Sequence, residues 1–87
     1  AELALAYWAA DQHDQGIRIA RSLTTSHPTY AGAHLILGRM LAARGQHAAA
    51  RTHLERCIAL DPKGPEGRRA ESAVEQLLSS PRKRNEK

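Results

Sequence analysis

Residues 35–62, LILGRMLAARGQHAAARTHLERCIALDP, are matched in pattern by residues 1–28, AELALAYWAADQHDQGIRIARSLTTSHP. The offset is 34 residues. Leu3 falls on Leu37, Ala4 on Gly38, Tyr7 on Leu41 and Ala9 on Ala43. Gln12-His13 falls on Gln46-His47, Gly16 on Ala50, Ala20 on Leu54, Leu23 on Cys57 and Pro28 on Pro62. Only five of the 30 aligned pairs are identical, yet size classes match where two helices would touch: large on large, small on small, proline on proline. A fixed period of this length is the mark of stacked helical hairpins. Arrays of that kind work through a surface.

Working outward, periodicity and punctuation predict five helices. The first spans about 1–10, with Leu3, Ala6-Tyr7 and Ala10 on one stripe. After a turn at 11–14, with Asp14 as the expected N-cap, a second helix carries Ile17, Ala20 and Leu23-Thr24 and ends before Pro28. A third starts near Thr29 and is stopped by Arg44-Gly45. The fourth, about 47–60, turns Ala50, Leu54 and Cys57-Ile58 inward and ends at the breaker cluster 61–65. A fifth starts near Pro65, with Ala70, Ala73-Val74 and Leu77-Leu78 on one face. Glu71 and Glu75 stand 34 residues beyond Leu37 and Leu41, so this last helix reads as a polar cap. Small Ala4, Gly16, Gly38 and Ala50 mark where paired helices cross.

These residues resemble a known family. The run Leu37-Gly38, Leu41, Gly45, Ala50, Leu54, Cys57, Asp61-Pro62 is similar to the tetratricopeptide repeat (TPR) signature. The earlier copy has Leu3-Ala4, Tyr7, Asp11, Gly16, Ala20, Leu23 and His27-Pro28. It departs by carrying Asp11 at the turn glycine and Ala20 at a usually large position, and His34 replaces an early tryptophan of the next copy. The resemblance implies an all-α, right-handed hairpin solenoid: repeat 1 at 1–30, truncated at its start, repeat 2 at 31–64, and a capping helix at 65–79. The tail 81–87 is expected to be disordered. The chain starts some four residues into a repeat, which reads as a piece of a longer protein.

Composition narrows function. With 41% apolar residues but only Tyr7, Trp8 and Tyr30 as aromatics, the core must be built from Ala, Leu and Ile. Of the +4 net charge, residues 82–87 hold +3 (four basic, one acidic), leaving nine basic against eight acidic residues elsewhere. The body is therefore nearly neutral, which argues against specific nucleic-acid binding. The lone Cys57 excludes an internal disulfide and reads as a small core residue. No apolar run reaches membrane-spanning length and no signal peptide is seen, so a cytoplasmic module is expected. The five histidines have no metal-ligand spacing; they read as helix-start and surface residues. No phosphate-cradling loop or nucleophile–base pair is present, so no cofactor, metal or catalysis is expected.

The resemblance implies a concave groove, lined by the first helix of each hairpin, for a peptide or helix of a partner. Position by position it comprises Leu5, Trp8 and Ala9; Leu35, Ile36, Arg39, Ala42 and Ala43; and Arg69, Ala73 and Gln76. These lie off the packing stripes on a helical wheel. The family's carboxylate-clamp positions fall on Ala1, Leu5, Ile36, Glu66 and Ala70, which cannot supply that chemistry. Two readings stay open: a scaffold or adaptor groove anchored by Trp8 and Arg39, or a homo-oligomerisation module using the same surface.

Overall fold

The computed structural model describes residues 2–79; Ala1 and the expected disordered tail lie outside that range. Among the described residues there are five helices and no strand. They are α1 (Glu2–Ala9), α2 (His13–Ser26), α3 (Ala31–Ala43), α4 (His47–Leu60) and α5 (Pro65–Ser79). Each packs on the next, and α3 also packs on α5. The shortest dimension is 18 Å, two helix layers thick.

The 34-residue period is built into the backbone itself. Gln12 N–H donates to the Tyr7 carbonyl, and Gln46 N–H to the Leu41 carbonyl, both at 2.9 Å. His27 N–H donates to Leu23, as Asp61 does to Cys57; Tyr30 donates to His27, as Gly64 does to Asp61. The first pair closes each hairpin by a bond from beyond the helix end back to its last turn, which requires a left-handed residue. Gly45 supplies it at φ +83°, and Asp11 at φ +66°. The departure at Asp11 therefore keeps the same turn, since aspartate tolerates this region better than most side chains.

The small residues sit where the hairpins close. A Cβ on Gly38 would lie 2.7 Å from Leu54 Cγ and 3.1 Å from the Ala50 carbonyl oxygen. In the first hairpin the glycine is on the other helix: a Cβ on Gly16 would meet the Ala4 carbonyl oxygen at 3.0 Å. Ala4, Ala20, Leu37, Met40, Leu41 and Ala50 form one buried cluster, and Leu35, Leu54, Cys57 and Ala70 a second. Leu37, Leu41 and Leu54 are fully buried, each contributing about 1.5–3 kcal/mol by removal from water. Gly67 makes the last contact: its missing Cβ leaves room for the Asp61 carbonyl, so α5 can close on α4.

Several local expectations are corrected. α2 starts at His13 with Gln12 as its N-cap and no side-chain cap bond, so Asp14 lies within the first turn. α3 starts at Ala31, two residues later than expected, because Tyr30 holds an extended backbone. In α1 the buried residue is Ala4, while Leu3 is 58% exposed and Ala6 is also exposed, as is Ala10, which lies just past the helix end. Leu37, one period later, is covered because α2 precedes it; no described helix stands in that place for α1. In α5, Ala70 is buried and Ala73, Val74 and Leu77 are half-buried, but Leu78 points to solvent. Glu71 and Glu75 are exposed.

Candidate protein-interaction groove

Three adjoining cavities run across the layer formed by α1, α3 and α5. The first, about 250 Å3, lies between α1 and α3 and is lined by Leu5, Trp8, Ile36, Arg39, Met40 and Ala43. The second, about 330 Å3, is lined by Arg39, Ala42, Ala43, Ala73, Gln76 and Leu77, with His47 from the first turn of α4. The third, about 290 Å3, is lined by Arg39, Arg69, Ser72, Ala73 and Gln76. Arg39 borders all three, so they adjoin as one trough with Arg39 common to its parts.

Most of the expected groove residues are brought together here. Leu5, Trp8, Ile36, Arg39 and Ala43 line the first cavity, Ala42, Ala73 and Gln76 the second, and Arg69 the third. Leu35 is a correction: it is only 4% exposed and packs with Leu54, Cys57 and Ala70. One residue is a 100° step on a helix, enough to turn Leu35 from the trough side under α4 and α5. Ala9 is exposed but lines none of these cavities. Met40, His47, Ser72 and Leu77 were not anticipated as lining. For Met40 and Leu77 a signal existed, since each lies four residues beyond an expected groove residue, Ile36 and Ala73.

Trp8 is held in place by its neighbours. Its ring stacks on His13 with centroids 4.0 Å apart. The imidazole is held in turn from two sides: Nε2 donates to Asp11 at 3.3 Å, and Nδ1 accepts from Arg44 at 3.4 Å. An aromatic ring fixed on one face and open on the other loses little entropy on binding.

Two other polar features have structural roles. His34 is 6% exposed, contrary to its expected surface position. Its Nε2 donates to the Pro28 carbonyl at 2.8 Å, and its Nδ1 lies 3.2 Å from Nδ1 of His53. Since the carbonyl can only accept, His34 Nε2 carries the hydrogen of that bond, which leaves Nδ1 to accept from His53. Burial, followed by the fields of His34 and Arg21, pulls His53 below its ordinary value of 6.5. Cys57 is buried with its thiol donating to the Glu66 carbonyl at 3.4 Å, and burial, with Glu66 and Asp61 adding, pushes it up to about 11. A thiol so raised is a poor nucleophile at neutral pH. Among the described residues no three His, Cys, Asp or Glu side chains cluster as metal ligands would.

The sequence model of the tetratricopeptide repeat family matches residues 2–65, most of the chain. The chain belongs to the tetratricopeptide repeat family. Neither the curated proteins nor the solved structures contain a match. Tetratricopeptide repeats generally mediate protein–protein interaction and are non-catalytic modules, and in this tetratricopeptide domain no described helix is long and apolar enough to cross a membrane.

Proposed function

We propose that this chain is a scaffold or adaptor module that receives a peptide or helix of another protein in the α1–α3–α5 trough. The observation that carries the reading is Trp8. A single tryptophan is stacked on His13 and borders an open, mostly aliphatic cavity, which is how an interface anchor is held ready. The cavities are open and adjoin one another, which suits successive anchors of a polypeptide better than one enclosed small molecule. No part of this reading calls for catalysis, a metal or a cofactor.

The test is a selection of random displayed peptides on the full chain, with binding then measured through Trp8 fluorescence. Binders that shift Trp8 emission and are lost in Leu5→Glu support the trough, because Leu5 is half exposed and its replacement leaves the core alone. Binders indifferent to Leu5→Glu would move the working surface elsewhere.

A second reading, self-association, is favoured by one observation of its own. Leu3, Ala6, Tyr7 and Ala10 border an apolar cavity on the outer side of α1, apart from the trough. Sedimentation of the chain over a hundredfold concentration range decides it. A mass that rises with concentration and falls back in Leu3→Glu supports pairing through this side; a rise abolished by Leu5→Glu points to the trough instead.

A further inference from the structure

The charge on the trough says what kind of segment fits it. The body has nearly balanced charge, nine basic and eight acidic residues outside 82–87. The trough does not share that balance: Arg39 and Arg69 line it, and no Asp or Glu does. Among the described residues neither Arg39 nor Arg69 has an ion-pair partner, whereas Arg51 on the far layer is paired with Glu55 at 2.9 Å. The polarity is also graded. The end bordered by Leu5, Trp8 and Met40 is apolar, Arg39 is common to all its parts, and the α5 end offers Arg69 with Ser72 and Gln76.

We propose that the trough selects an acidic amphipathic segment of a partner protein, with an apolar side chain against Trp8 and Asp or Glu side chains against Arg39 and Arg69. This rests on the trough being the binding surface. The physical reason is desolvation. Any polypeptide that fills the first cavity covers Arg39, and a guanidinium stripped of water without a carboxylate is strongly unfavourable. A neutral segment therefore binds poorly and a basic one is repelled. Arginine's planar fork favours carboxylates by paired hydrogen bonds.

The peptides selected above supply the probe. Each trough-dependent binder is compared with its Glu→Gln and Glu→Lys versions on the native chain and on the Arg39→Glu/Arg69→Glu variant. Both arginines are exposed, so the variant folds as the parent does, checked by its helical circular dichroism. The expected results are enrichment of Asp and Glu beyond the apolar anchor, at least tenfold weaker binding after Glu→Gln, and a reversed preference for the Glu→Lys peptide on the variant. Trough-dependent binders that tolerate Glu→Gln would overturn the acidic preference while leaving the proposed function standing. No trough-dependent binder at all would overturn both. A labelled oligouridine that binds the native chain more tightly than any acidic peptide, and is lost in the double variant, would overturn the choice of a protein segment.

Discussion

Asp11 shows how one residue can break a family pattern while keeping its geometry. It occupies the left-handed turn that Gly45 occupies one period later, and its exposed carboxylate contacts His13. Glycine adopts this region without the penalty a Cβ brings, so Asp11→Gly is expected to stabilise the fold by about 0.5–1 kcal/mol. Urea unfolding decides it, and a lower midpoint in the variant would mean that the His13 contact outweighs backbone strain. His53 yields a pH prediction. Its ring takes a proton less readily when folded than its ordinary 6.5, so the unfolded chain binds more protons as pH falls below that value. Stability is then fully present above about pH 6.5 and declines as pH drops through the lowered folded value. His53→Gln, whose amide can still donate to His34, should flatten the melting temperature between pH 7 and pH 5. An equally steep loss in the variant would place the titration elsewhere.

At the scale of the helix pair, Gly38 tests whether crossing distance or helix propensity governs. Propensity alone says that Gly38→Ala gains about 1 kcal/mol. The structure says the opposite, because the new Cβ would meet Leu54 Cγ at 2.7 Å and the Ala50 carbonyl at 3.1 Å. A loss of about 1–3 kcal/mol is expected, and the same for Ala50→Leu across the crossing. A Gly38→Ala protein that melts higher than the parent would show that α3 and α4 have slack. The elements were largely readable beforehand: the ends of α4 and the start of α5 follow from Gly45, Pro62 and Pro65. The starts of α2 and α3 were not: Gln12 rather than Asp14 is the N-cap of α2, and the extended backbone of Tyr30 delays α3 to Ala31.

Across the whole molecule, the packed core and the trough occupy different faces of the same helices. Leu5→Glu is expected to leave the unfolding free energy within about 0.5 kcal/mol of the parent while removing peptide capture. Leu35→Glu should instead unfold the chain, because Leu35 joins α3 to α4 and α5 in the second cluster. Circular dichroism separates the two. A folded Leu35→Glu protein would contradict the packing described here. The His13 support extends this to preorganisation: His13→Ala should red-shift Trp8 emission and weaken trough binding several-fold without changing helix content.

Legible in the residues alone were the period, the five helices and the crossing glycines, because each depends on local spacing; the lining of the trough came from the family resemblance. Gly, Pro and small side chains act on their own few neighbours, and helical periodicity fixes which positions share a face. What the tertiary structure decided was rotation and cover. It turned Leu35 inward, left Leu3 and Leu78 exposed, drew Met40 and Leu77 into the trough wall, and buried His34 against Pro28. Those outcomes depend on which helix stands beside another and at what angle, which summed contacts over long separations determine and no short window of sequence contains.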